Sequence, residues 1–261
     1  MMTMSRLFSA VCDEDLESVA IAIASDENPA IEDVTARLDD LARILAPAVL
    51  AEEGARRVAP LVKGVYRTLG FTTPESYDDP RLQLIDSVLA RREGSPVALA
   101  VVLIALGRRL GVPLEGVAFP GHFMVRFGGA VPVYIDPSSG AFPFPERCLL
   151  ELAAEELRVS RAAASRFLAP VGALTIAIRF LRNLQAAHEM RGELGYALLV
   201  SDRIYELTGS AEARCERGLR AAALGAPHGG LDDLEAYLGE RYDRGVYRAA
   251  RSLSPSPIDL N

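Results

Sequence analysis

Apolar residues along the first 70 positions recur with a helical period. Leu16, Val19, Ala20 and Ile23 fall at i, i+3, i+4 and i+7, and Ile31, Val34, Leu38, Leu41 and Leu45 resume the pattern after Asn28-Pro29. Val58, Leu61, Val62, Val65 and Leu69 mark a third helix that Gly70 and Pro74 end. Past Asp78-Asp79-Pro80, Leu82, Ile85, Val88 and Leu89 form another amphipathic stretch, closed by Arg91-Arg92-Glu93-Gly94. Gly94-Ser95-Pro96 then reads as a helix start, because Ser95 can accept a backbone N–H as N-cap and proline is tolerated at the first helical position. From Val97 to Leu110 nearly every position is apolar, which predicts a helix buried on most sides and ended by Gly111 and Pro113.

The period then changes. Leu114 to Phe119, His122 to Phe127 and Val131 to Ile135 are short runs rich in Val, Phe and Tyr, and Pro120-Gly121 and Gly128-Gly129 separate them. They predict three consecutive antiparallel strands, with Asp136-Pro137 closing the last. Helices return at about Glu146, and from about Val171 the chain reads as hairpins: Leu174 to Arg191, Tyr196 to Leu207, Ala211 to Leu224 and Leu231 to Leu238. Gly195-Tyr196-Ala197 and Gly229-Gly230-Leu231 stand about 34 residues apart, the spacing of a tetratricopeptide repeat, though plain helical hairpins give the same pattern. The resulting expectation is an α+β chain, mainly helical, with a small antiparallel sheet. Its divisions are an N-terminal helical region 1–75, a core 76–170, helical hairpins 171–253 and a tail 254–261.

Half of the 261 residues are hydrophobic and 24% are charged, so a sizeable core is expected and extensive disorder is not. The net charge of −7 sits early in the chain, with 10 basic and 17 acidic residues in positions 1–93, and solvated helix faces are its simplest location. No basic patch suggests nucleic acid. No apolar run reaches the ~18 residues of a membrane helix and the first residues lack a secretory pattern, which makes the cytoplasm the expected compartment. Cys12, Cys148 and Cys215 lack metal-site spacing and only His122, His188 and His228 are available, so neither a metal nor a cofactor is expected.

Chemistry converges on the junction of helix and strands. His122 and Asp136, on adjacent antiparallel strands, can pair so that a carboxylate orients an imidazole, and the preceding helix start is where a nucleophile would be activated. This is the plan of transglutaminase and papain-like thiol enzymes. The run LARREGSPVALAVVLIALGRRLGVPLEGVAFPGHFMVRF, followed by IDPSSG, resembles the SirB1 family, and more loosely so do RFLRNL and the hairpins after it. The resemblance implies a transglutaminase-like core followed by tetratricopeptide-like helices. It matches Gly94 to the glycine of a Gly-x-Cys helix start, His122 to the base and Asp136 to its orienting acid, and it puts Pro96 where the cysteine belongs. Ser138 and Ser139 depart from the Phe-x-Gly type of sequence expected after Asp-Pro.

A retained fold without its nucleophile is therefore expected, acting as an interaction or regulatory module that takes a protein or peptide on the C-terminal helices. Two alternatives stand beside it. One is a hydrolase or acyltransferase using Ser95, His122 and Asp136; a hydroxyl capping Val97 or Ala98 would count against it. The other is a small-molecule site in the remnant cleft, drawing on Gly94, Ser95, His122 and Arg126. By the strand period His122, Met124 and Arg126 share a face, where Arg126 could be solvated or could pair with an acid in the groove or in a partner. Cys148 is most simply a buried, inert thiol, and His188 and His228 receive no role.

Overall fold

A computed structural model describes residues 5–31, 33–129, 131–225 and 227–253. It divides into two compact units, Met1–Phe180 and Leu181–Asn261. The first unit opens with helices α1 (Arg6–Cys12), α2 (Leu16–Glu27), α3 (Val34–Leu50) and α4 (Val58–Lys63). The helix expected through Leu69 changes type after Lys63, where Gly64–Thr68 widens into a π turn. A short 3-10 turn, Pro80–Leu82, leads to α5 (Ile85–Arg91) and then to α6 (Pro96–Arg109).

Helix α6 is the centre of this unit. Residues Val97 to Leu103, together with Ala105, Leu106 and Gly107, are all buried, as the unbroken apolar run requires. Leu106 and Arg108 also carry the α6 backbone into the turn at Leu110, after which the sheet begins.

Four antiparallel strands follow in the order β1-β2-β3-β4: β1 (Leu114–Val117), β2 (Met124–Phe127), β3 (Val133–Asp136) and β4 (Ala141–Phe144). The strands expected at Leu114–Phe119, His122–Phe127 and Val131–Ile135 are all present but shorter at one end or shifted. The fourth is an addition. Its sequence Ala-Phe-Pro-Phe reads poorly as a strand because Pro143 cannot donate to a ladder, a defect that an edge strand tolerates.

The sheet register pairs Gly116 with Val125 and Val125 with Ile135, and pairs Val117 with Met124. Met124, Tyr134, Val117 and Phe119 form a buried cluster with Leu149 and Ala153 of α7 (Glu146–Leu157), Ala164 of α8 (Arg161–Ala164) and Leu168. Leu114, of the opposite strand parity, meets Gly107 of α6. The sheet is thus covered on both faces by helices.

Helix α9 (Ala173–Met190) runs across the division between the units. The second unit continues with α10 (Leu194–Thr208), α11 (Ala211–Ala223), α12 (Pro227–Glu240) and α13 (Arg244–Leu253), a run of paired helices. Cys215, Leu234, Leu238, Val246 and Ala250 make its buried cluster. The side chain of His228 and the segment 254–261 lie outside the described residues. Among the described residues no single helix is long and apolar enough to cross a membrane.

Candidate functional site

The turn from α5 into α6 is held by backbone. Thr72 N–H donates to Arg92 O at 3.0 Å, Gly94 N–H donates to Thr72 O at 3.1 Å, and Ser95 N–H donates to Leu82 O at 2.9 Å. Gly94 is required by space: a Cβ here would lie 2.9 Å from Cγ1 of Val88. Ser95 is 1% exposed. Its Oγ accepts from Ala98 N–H at 3.3 Å and donates to Gln83 Oε1 at 2.7 Å, so the hydroxyl is an N-cap whose proton is already committed. Pro96 follows at the first helical position, where its missing N–H costs nothing.

His122 does not lie on a strand. Its N–H donates to Phe119 O at 3.1 Å, closing a turn over Pro120-Gly121 in which Gly121 takes φ +71°, and β2 starts two residues later at Met124. The imidazole is exposed and tilted against the Phe119 ring, with centroids 6.3 Å apart. Asp136 ends β3 as expected, but its carboxylate serves its own loop. Oδ1 accepts from Ser138 N–H at 2.8 Å and Ser138 Oγ at 2.6 Å, and Oδ2 accepts from Ser139 Oγ at 2.9 Å. Continuing the β2–β3 register puts Asp136 opposite Met124, two residues past His122. The structure brings the strand ends of the expected dyad near one another in the ladder without making the imidazole–carboxylate bond.

Sequence reading missed the residues that anchor this loop. Tyr66 OH donates to Pro137 O at 2.9 Å and Thr73 Oγ1 donates to Ser138 O at 2.7 Å. Burial, and then the Asp136 charge, push the Tyr66 phenol above its ordinary value, so it stays a donor. Gly140, at φ +66°, lies so close that a Cβ would sit 2.6 Å from the Tyr66 ring. Ser138 and Ser139, which depart from the expected loop sequence, are the side chains that satisfy Asp136. Tyr66 and Thr73 are some 65 to 71 residues from their partners, and no local pattern announces such a bond.

Arg126 is neither solvated nor tightly paired. Its side chain is 23% exposed, its Nε is buried without a partner, and Glu115, directly opposite on β1, stands 3.9 Å away. Cys12 is exposed, Cys148 is half-buried and Cys215 is buried, which pushes its thiol pKa up. His188 is buried, with Nδ1 2.8 Å from Glu193 Oε2 and its ring stacked on Tyr196. Among the described residues no group of three or more His, Cys, Asp or Glu side chains is placed to hold a metal ion.

A known family model described as the transglutaminase-like superfamily matches residues 32–182, the stretch that contains the α6 start with Gly94, the turn with His122 and the β3 end with Asp136. The chain belongs to the transglutaminase-like superfamily. Within it, the chain is 35% identical over 235 residues to a UPF0162 protein of Xylella fastidiosa (strain Temecula1), covering 85% of this chain and 83% of that one. It is 32% identical over 234 residues to a UPF0162 protein of Pseudomonas aeruginosa, with the same coverage. A human protein, F-box only protein 21, shares 48% identity over 40 residues, which are 15% of this chain and 6% of that one. No solved structure matches. The transglutaminase-like match includes α3 and the start of α9, so the N-terminal helices beyond Glu32 belong to the family's domain and are not an appendage.

Proposed function

We propose that this chain is a SirB1-like, non-catalytic member of the transglutaminase-like superfamily that works in the cytoplasm by binding a protein or peptide through its C-terminal helices. The observation that carries the reading is the α6 start. Pro96 stands where the resemblance puts the thiol, and the neighbouring Ser95 hydroxyl is buried, capping Ala98 and donating to Gln83. A nucleophile needs an open position and a base within reach. Ser95 has neither, and the Asp136 carboxylate is taken by its own loop.

Support for binding comes from α10. Tyr196 and Leu199, at i and i+3, are 49% and 59% exposed, an apolar pair on the outer face of a helix whose other face packs inward through Ala197, Val200 and Ile204. Stacked helical hairpins present such faces to peptides.

Two measurements test this. The purified chain is expected to show no ester, amide or acyl-transfer turnover above buffer, with His122→Ala indistinguishable from wild type; turnover that His122→Ala abolishes would restore an enzyme. In capture from its own cells, Leu199→Asp is expected to lose a partner that wild type retains, with an unchanged circular dichroism spectrum. Equal recovery by both would remove the binding role from this face.

A further inference from the structure

Helix α13 of the second unit divides its two sides sharply. Val246 and Ala250 are buried in one cluster with Leu234 and Leu238. Arg244, Arg248 and Arg251, at i, i+4 and i+7, are all exposed and fall within about 60° of one another around the axis, opposite that buried side. The helix contains no acidic residue. Asp243, just before it, accepts from Gly245 N–H at 2.7 Å and from Val246 N–H at 2.9 Å, so its carboxylate serves as the helix cap.

These cations differ from the others around them in being unanswered. Each arginine of this unit from Arg182 through Arg241 meets an acid or a tyrosine. Among the described residues Arg244 and Arg248 meet neither, and Arg251 reaches only the Tyr247 hydroxyl, at 3.5 Å. The arrangement works against the helix itself: like charges four residues apart repel, and a cation in the first turn opposes the helix dipole. Two tyrosines border the arginines. Tyr242 is 71% exposed, and its ring centroid lies 6.4 Å from that of the half-buried Tyr247. Arginine and tyrosine are among the side chains that most often anchor protein interfaces.

We propose that this face of α13 binds an acidic peptide segment of a partner protein. The inference rests on the reading of the C-terminal helices as a binding module and names the chemistry of what they take. Arg244 and Arg248 rise about 6 Å apart along the axis, and carboxylates on alternate residues of an extended chain stand about 7 Å apart, so successive acids meet successive guanidiniums. Each planar fork pairs a carboxylate through two N–H groups. At the edge of the run, an apolar side chain of the peptide rests on Tyr242. A membrane surface fits less well, because the apolar side of α13 is already buried in the core of its own unit and cannot insert. Nucleic acid fits less well too, since a chain of net charge −7 repels a polyphosphate.

The test uses the full chain and the fluorescence anisotropy of a labelled peptide of alternating glutamate and serine that ends in phenylalanine, with its glutamine counterpart as control. Saturable binding of the glutamate peptide is expected, weakening as sodium chloride rises from roughly 50 to 300 mM, with none of the glutamine peptide. Arg244→Gln and Arg248→Gln together are expected to lose about tenfold in affinity without melting below wild type, while Arg203→Gln on α10 binds as wild type does. Should the double variant fail to fold, Tyr242→Ala, at an exposed position, must itself weaken binding severalfold. The proposal is overturned by no saturable binding, by equal affinity in wild type and the double variant, or by equal affinity for the two peptides. Tighter binding of phosphatidylglycerol vesicles or of a DNA oligomer than of the peptide, lost in the same double variant, overturns the peptide assignment. If the peptide fails to bind while Leu199→Asp still loses a cellular partner, this inference falls and the binding module stands. Peptide binding lost in the double variant, with Leu199→Asp recovering every partner, supports the inference and moves the module's contact from α10 to α13.

Discussion

Ser95 shows how a residue at a candidate reaction centre can be fully employed by structure. Its oxygen accepts from Ala98 N–H and its proton goes to Gln83, whose residue is 1% exposed and whose Nε2 has no partner. Removing the hydroxyl therefore removes a helix cap and also leaves Gln83 Oε1 buried without a donor. The cap is worth ~1 kcal/mol and the orphaned acceptor ~1–3 kcal/mol. Ser95→Ala is expected to lower the unfolding free energy by about 2–3 kcal/mol in urea titration, without changing any binding activity. A loss below about 0.5 kcal/mol would mean that the hydroxyl is not a cap in solution. The capping half of this arrangement is legible in Ser95-Pro96, because caps act within three residues. The Gln83 half is not, because the two side chains are 12 positions apart and meet only after α5 has folded back.

Elements are joined in the first unit by a charge cluster that the sequence pattern hides. The acidic surplus of residues 1–93 reads as solvated helix faces, yet Glu17, in the first turn of α2, is 6% exposed. It accepts from Arg109 at 2.6 and 2.9 Å and from Arg108 at 2.9 Å, both at the end of α6, and from the Thr35 hydroxyl of α3 at 2.9 Å. Burial pushes the Glu17 carboxyl up, but the hydrogen bonds from Arg109 and Thr35 and the two arginine charges outweigh it, and its pKa falls below the ordinary value. A depressed folded pKa gives stability that is present above the unfolded value, near 4.5, and is lost as pH falls through the folded one. Wild type is expected to lose stability progressively below about pH 4.5, and Glu17→Gln to lose less over that interval. At neutral pH, Glu17→Ala is expected to cost about 3 kcal/mol, since it leaves the largely buried Arg109 without its main partner. Chemical denaturation at pH 7 and pH 3.5 checks both; parallel pH profiles for wild type and Glu17→Gln would rule out the linkage.

Element types in this unit followed the apolar period closely, while edges depended on turn chemistry. The turn over Pro120-Gly121 uses His122 as its last residue, which withdraws the imidazole from β2 and leaves it beside Phe119. The π turn at Gly64–Thr68 and the edge strand β4 escape notice because neither has a period to read.

Across the whole molecule, two units with separate cores imply two stabilities. In the second unit, Arg217 of α11 binds Asp202 of α10 at 2.6 Å and Asp233 of α12 through two 2.7 Å bonds, and it lies 4.3 Å over the Tyr205 ring. One guanidinium thus ties three consecutive helices. The pairing drives its own pKa up, so it stays charged at any pH the fold survives. Asp233 is 8% exposed, and truncating Arg217 leaves that carboxylate buried without its bidentate partner, which is the costly way to break such a pair. The first unit contains none of these contacts. Arg217→Ala is expected to speed amide exchange by about 100-fold across residues 194–240, the equivalent of ~3 kcal/mol, while exchange in residues 97–109 stays as in wild type. Acceleration of both stretches together would show that the chain opens as one cooperative body. Acceleration confined to the paired helices would show that the face carrying Tyr196 and Leu199 can be loosened or ordered without disturbing the transglutaminase-like core, as a binding module on a stable scaffold requires.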